Sequence, residues 1–277
     1  MASDALRDDW VRTRHGLLSG LTLALGGANV IMQLSMLPVG RGVFESTVDS
    51  GSLHRHPVKR TRTTLGYVMI AMFGTDHERH VLREQVNRQH RAVRSGPDSP
   101  VVYDAFDPEL QLWVAACMYR GVVDAETFLY GAPNEEEADA LYRASARFAT
   151  TLQVPESSWP EDRAAFERYW TSSLERIELD DQTRALLYGI ASLDFLPRLV
   201  RWPFVRFHRL VTTGFLPEPF RDQLGLPWGR VRRRVFRWWC SSAAFVNVLT
   251  PQPVRGFPWN VALWDARRRI RRGIDFV

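Results

Sequence analysis

The segment Asp107-Pro108-Glu109-Leu110-Gln111-Leu112-Trp113-Val114-Ala115-Ala116-Cys117 decides the fold class of this 277-residue chain. The Asp107 carboxylate can cap a helix N-terminus, and Pro108 suits the first helical position because its φ is already fixed near the helical value. Glu109 is favourable in the first turn, where the helix dipole is positive. The apolar residues that follow fit a helix with a buried face.

Similar helix starts recur along the chain. Asn134 is followed by three glutamates and opens a helix predicted to run to about Leu152, and Asp180 or Asp181 begins another. Residues 158–161, Ser-Trp-Pro-Glu, form a capping box that predicts a further helix start. No stretch alternates apolar and polar residues for long enough to predict a strand. We therefore predict an all-α fold, a single globular multi-helix domain over residues 1–277.

The composition favours a cytoplasmic protein with a large core. Hydrophobic residues make up 45% of the chain, which is ample for a core at this length. Cys117 and Cys240 lie far apart and match neither a disulfide framework nor a zinc-ligand spacing. A reducing compartment is therefore expected.

The stretch 16–37 contains no charged residue and raises the question of a membrane span or a signal peptide. Its polar residues and glycines oppose a span, and Asp4, Asp8 and Asp9 oppose the basic leader of a signal peptide. We expect a helix that is buried or contacts a membrane within the folded domain.

The C-terminal segment 230–272 is strongly basic. It holds eleven arginines against one acid, Asp265, so it carries +10 while the rest of the chain carries −5. Tryptophans are interleaved with these arginines, as suits peripheral contact with an anionic membrane, although a solvated charged face is the competing interpretation. The segment shows none of the nucleic-acid-binding modules, so nucleic acid is not expected as a partner.

One histidine lies on the apolar face of a helix predicted from about Asp76 to Val93. Leu82, Val86, His90 and Val93 follow one another at spacings of four, four and three, and therefore share that face. An imidazole in an apolar setting needs a partner. The partner is either a hydrogen-bonding neighbour or a metal, including the iron of a haem.

A donor cluster lies on the helix predicted over Pro57–Phe73, which Gly74 ends. Arg60, Thr63 and Thr64 are three and four residues apart, so a guanidinium and two hydroxyls fall on one face. The competing interpretation is an exposed arginine beside threonines that hydrogen-bond to their own helix.

Several segments between about residues 20 and 230, in the same order, resemble the catalytic domain shared by bacterial rubber oxygenases (latex-clearing proteins) and ER-bound mpaB-type oxygenases. The matching pieces are Val30-Ile31-Met32-Gln33, Pro38-Val39-Gly40-Arg41-Gly42-Val43, Pro57-x-x-Arg60-x-x-x-Thr64 with Phe73-Gly74, His90-Arg91-Ala92-Val93, Tyr103-x-Ala105-x-Asp107-Pro108-x-Leu110-x-Leu112-Trp113-Val114, and Leu216-Pro217 with Phe220-Arg221 and Gly225-Leu226-Pro227-Trp228.

The resemblance implies an all-α domain that binds haem b, with His90 as the proximal iron ligand and Arg60, Thr63 and Thr64 on the distal side. In the latex-clearing branch a lysine stands where this chain has Thr63, and a histidine stands where it has Leu37. The implied function is a haem-dependent oxygenase that uses dioxygen on a hydrophobic small molecule, for which an isoprenoid-like compound is one candidate. The alternative is a non-catalytic haem- or lipid-binding protein at the membrane surface. Trp113, Met69 and Phe73 are expected around the substrate.

Overall fold

The computed structural model describes residues 19–46, 48 and 55–275. Within them the regular secondary structure is helical, and the one extended pairing is an isolated antiparallel bridge between Arg94 and Asp104. The predicted all-α fold class is confirmed. The α-helices of the described residues are α1 (Gly26–Leu34), α2 (Leu37–Phe44), α3 (Pro57–Phe73), α4 (Asp76–His90), α5 (Pro108–Tyr130), α6 (Glu135–Ser145), α7 (Arg147–Thr150), α8 (Arg163–Leu174), α9 (Asp181–Ala191), α10 (Arg198–Arg201), α11 (Val205–Phe215), α12 (Glu218–Gln223), α13 (Arg230–Leu249), α14 (Gln252–Arg255) and α15 (Trp259–Arg271).

Three predicted helix starts are confirmed by their caps. The Asp107 carboxylate accepts a hydrogen bond from the backbone N–H of Glu109 at 2.8 Å at the start of α5. Asn134 forms a complete capping box at the start of α6, and Asp180 caps α9. These caps satisfy N–H groups that a helix N-terminus leaves without a partner.

Two predicted helix bounds are wrong for tertiary reasons. The helix expected from Asn134 to Leu152 breaks at Ala146, and the break allows both Tyr142 and Phe148 to be buried, which a straight helix would place about 120° apart. The helix expected from 158–161 begins instead at Arg163. The backbone at Trp159 stays extended because its side chain is buried and because the carbonyl of the next residue, Pro160, accepts a hydrogen bond from the Tyr142 hydroxyl.

The helix expected to reach Val93 ends at His90. The chain then turns back on itself, since the backbone N–H of Ser95 donates to the carbonyl of Tyr103 at 2.8 Å and that of Ala105 to the carbonyl of Val93 at 3.0 Å. Val93 therefore lies in this returning arm and not on the helix face.

From residue 19 onward the uncharged N-terminal stretch is mostly buried, although Leu23 is 40% exposed, and residues 16–18 lie outside the described residues. It forms a 3-10 helix, Gly20–Leu25, that continues as α1, and the inward side chains Ala28, Ile31 and Met32 are almost fully buried. Among the described helices none is long and apolar enough to cross a membrane alone. Gly20–Leu34 and Leu37–Phe44 pass that test only as a pair, which is bent by 105°.

The C-terminal helix α15 packs along α3. Ala266 lies against Ile70, and Ala262 and Trp259 lie against Met69. The Trp259 indole N–H lies 3.0 Å from both the Ser19 carbonyl and the Thr22 hydroxyl oxygen. The last helix of the basic C-terminal segment is thus packed into the helical body, and it supports the helix that carries the donor cluster.

Candidate functional site

His90 is the last residue of α4, and both ends of that helix are anchored. Thr75 and Glu78 form a capping box at its start. Leu82 and Val86 are buried in a cluster with Ile70 of α3 and Ala266 of α15. The apolar spacing in the sequence therefore predicted the buried side of this helix correctly up to His90.

The His90 side chain is half-buried, and its Nδ1 atom is fully buried without a hydrogen-bond partner among the described residues. The edge of the Phe106 ring lies against the imidazole, with ring centroids 6.2 Å apart. Burial, together with a smaller effect of the Arg60 charge, lowers the pKa of His90 to about 4, although the Asp104 carboxylate acts in the opposite direction. The imidazole is therefore neutral near pH 7, with one ring nitrogen available as a ligand atom.

Arg60 lies in the first turn of α3 and is exposed to solvent. Its positive charge acts on His90 and lowers the pKa of the imidazole. The surrounding protein lowers the pKa of the Arg60 guanidinium as well. Arg60 at the start of α3 and His90 at the end of α4 are therefore electrostatically coupled.

The two threonines of the donor cluster differ in their surroundings. The Thr63 hydroxyl is buried and donates to the carbonyl of Arg60 at 2.9 Å, so it closes the turn that carries the guanidinium. Thr64 is half-buried, one helical turn after Arg60. One turn further on, the Tyr67 hydroxyl donates to the carbonyl of Phe148 at 2.7 Å.

A chain of side-chain amides that the sequence did not predict holds the last turn of α4. The Gln111 amide donates to the carbonyl of Ala105 at 2.8 Å and to the Gln153 side-chain oxygen at 2.7 Å. Gln153 in turn donates to the Asn87 side chain, three residues before His90. The three residues that form this series of hydrogen bonds are far apart in the sequence. No local sequence pattern could therefore have indicated it.

The sequence comparisons identify the relationship to known proteins. The sequence model of the family described as ER-bound oxygenase mpaB/B'/rubber oxygenase, catalytic domain, matches residues 13–245. The chain belongs to this family. It is also 47% identical over 255 residues to uncharacterized proteins of Mycobacterium tuberculosis and Mycobacterium bovis, covering 92% of this chain and all of each relative. No solved structure was found to match.

Membership of the mpaB/rubber oxygenase family gives the general activity, that of an oxygenase catalytic domain, with a substrate and dioxygen as reactants. The matched region includes α3 and α4 with Arg60 and His90, and it ends within α13. Helices α14 and α15 lie beyond it.

Another family segment, Pro38–Val43, supports the arm that follows His90. Arg41 is buried and donates to the Asp180 carboxylate at 2.7 Å. The Tyr103 hydroxyl donates to the Glu45 carboxylate at 2.9 Å. Burial and the neighbouring Glu45 raise the pKa of Tyr103 to about 12, so it remains a donor.

The remaining residues considered from the sequence lie elsewhere. His77 and His80 are exposed, and the described residues contain no group of three or more histidine, cysteine, aspartate or glutamate side chains that could hold a metal by themselves. Trp113 stacks on Trp170 and borders a cavity of about 150 Å³, whereas Met69 is sealed against Trp259. Trp113 and Met69 therefore do not line the same cavity.

Proposed function

We propose that this chain is a haem b-dependent oxygenase that acts on a hydrophobic small molecule, with His90 as the proximal iron ligand. The observation that carries the proposal is the buried Nδ1 atom of a neutral His90, which has no hydrogen-bond partner among the described residues. A buried polar atom without a partner is costly, which favours a ligand that takes it up.

The donor set fits a haem. A single histidine suffices as protein ligand because the porphyrin supplies the equatorial nitrogens. The pKa of His90, about 4, keeps the imidazole in its neutral, ligating form at physiological pH. When bound, haem b would supply an iron centre for dioxygen chemistry.

Arg60 would bind and orient dioxygen as negative charge develops on it. Its guanidinium is a permanent cation with several donors, so it can hold a developing negative charge by charge-assisted hydrogen bonds. Thr63 would position Arg60 through the hydrogen bond to its carbonyl, and Thr64 would offer a neutral donor one turn away. These three residues are the proposed catalytic set.

The substrate is proposed from this chemistry as an apolar molecule, such as an isoprenoid-like compound. Phe106 places an apolar ring edge against His90, and the proposed polar groups Arg60, Thr63 and Thr64 lie on one face of α3. Because the chain has Thr63 where the latex-clearing branch has lysine, we do not propose rubber itself as substrate.

The visible spectrum of the protein expressed with a haem supply tests the proposal. Wild-type protein should show a Soret band, and His90→Ala should lose it or shift it because the axial ligand is gone. The matched control is His80→Ala, an exposed histidine of the same helix, which should keep the wild-type band.

Absence of a Soret band from well-folded wild-type protein, or an unchanged band in His90→Ala, would refute haem ligation by His90. Dioxygen consumption with a reductant and an apolar alkene then separates an oxygenase from a haem carrier. In that assay Arg60→Gln should reduce turnover by about tenfold or more while it leaves the Soret band in place.

A further inference from the structure

Helix α13 has apolar residues on both sides. Its inner side packs into the protein through Phe236, Trp239 and Ala243. Its outer side carries Val231, Trp238, Phe245 and Leu249, spaced by seven, seven and four residues, and each is at least 66% exposed. We refer to these four residues as the outer stripe. A single buried face would leave polar residues at these positions, so the outer stripe is not explained by the fold.

Further exposed apolar residues lie on α10, on α11 and on the short chain between them. Phe207 of α11 lies edge-on against Trp239 of α13, with ring centroids 5.5 Å apart, and is itself 48% exposed. Leu199, Trp202 and Phe204 before it are 92%, 79% and 59% exposed. Large exposed apolar surface of this kind on a folded protein marks a contact site.

The same surface is cationic. Helix α13 carries five arginines and no acidic residue. Within the described part of the chain, the four arginines at 230, 233, 234 and 237 form no ion pair with a carboxylate, and all are exposed. The arginines therefore occupy the N-terminal half of α13, and the exposed aromatic rings of Trp238 and Phe245 follow them toward its C-terminal end.

Only one class of partner accommodates both features. A second copy of the chain docked through α13 would bring five positive charges against five identical ones, which is unfavourable. Nucleic acid would attract the arginines and leave the apolar stripe in water. An anionic lipid surface takes up aromatic and aliphatic side chains at the headgroup level while it attracts the cations. We propose that α13, together with the exposed residues of α10 and α11, docks the protein on an anionic membrane surface.

Vesicle flotation of the full chain tests this proposal, which is independent of haem binding. Wild-type protein should float with vesicles of mixed phosphatidylcholine and phosphatidylglycerol, should bind far less to phosphatidylcholine alone, and should be released by high salt. Trp238→Ser with Phe245→Ser removes apolar contact, and Arg234→Gln with Arg237→Gln removes charge. Each pair should lower the partition coefficient by about tenfold or more.

The matched control is Val102→Ser with Arg143→Gln, which removes an exposed valine and an exposed arginine from other parts of the surface and should bind like wild type. All substituted side chains are exposed, so thermal melting should stay near that of wild type. Equal binding to neutral vesicles, no binding to anionic vesicles, or full binding by both α13 variants would overturn the proposal. It would also be overturned if the Trp238 and Phe245 variant dissociated a dimer in solution without affecting vesicle binding.

Discussion

At the scale of single residues, two effects lower the pKa of His90. Burial and the charge of Arg60 both favour the neutral imidazole, and Asp104 compensates only in part. The spacing Leu82, Val86, His90 predicted that the histidine would point inward. It could not predict the opposing arginine, because Arg60 lies on another helix, and only the family resemblance placed the two in one site.

The low pKa of His90 should appear as acid sensitivity of the haem-free protein. In the unfolded chain His90 takes up its proton near its ordinary pKa of 6.5, but in the folded protein only near 4. Between these values the unfolded state binds more protons, so the free energy of unfolding falls as pH drops from 6.5 toward 4. From pH 7 to pH 5 the contribution of His90 is about 1–2 kcal/mol.

Urea unfolding at the two pH values measures this effect as the difference between wild type and His90→Gln, which should lose less stability on acidification. Arg60→Gln should raise the His90 pKa in an NMR titration, since it removes one of the two depressing causes. An identical pH dependence in wild type and His90→Gln would contradict the assignment.

At the scale of elements, local caps determined three helix starts, and tertiary contacts determined the bounds that the sequence predicted wrongly. Asp107, Asn134 and Asp180 cap the helices as the sequence indicated, because a cap depends on neighbouring residues alone. The break at Ala146 and the extended chain at Trp159 depend on aromatic packing with distant residues. Such packing leaves no trace in a local pattern.

The chain of hydrogen-bonded amides from Gln111 through Gln153 to Asn87 should stabilise the protein. Gln111→Ala removes a hydrogen-bond partner from the Ala105 carbonyl, the Gln153 side-chain oxygen and the Gln153 backbone N–H, so we expect a loss of about 1–3 kcal/mol in the free energy of unfolding. Because Asn87 lies one turn before His90, haemin affinity should fall as well.

Chemical denaturation and haemin titration measure the two effects of Gln111→Ala. Thr127→Ala, an exposed residue of the same helix, is the control and should change the stability by no more than about 0.5 kcal/mol. If Gln111→Ala matched that control in both measurements, the amide chain would have no role in holding the last turn of α4.

At the scale of the whole molecule, the family match ends at residue 245, but helices beyond that residue still pack against the matched region. Arg267 of α15 donates to the Phe73 carbonyl at 2.9 Å and pairs with Glu78 at 3.1 Å, which joins the C-terminal helix to both α3 and α4. The helices that carry Arg60 and His90 are therefore supported by a segment outside the matched region.

We infer from this packing that residues 230–272 fold with the rest of the chain as a single domain, and Trp259 offers the sharpest test. Trp259 is buried between α3 and the 3-10 helix Gly20–Leu25, so Trp259→Ala should cost about 3–5 kcal/mol. Trp264→Ala, on the same helix but 57% exposed, is the matched control and should cost less than about 1 kcal/mol.

Because one domain unfolds as one unit, Trp259→Ala should shift a single transition seen by far-UV circular dichroism. The Soret band of the haem-loaded protein should disappear in that same transition. A separate early transition for α15, with the remaining helices unfolding at the wild-type midpoint, would show that the C-terminal segment is an independent unit.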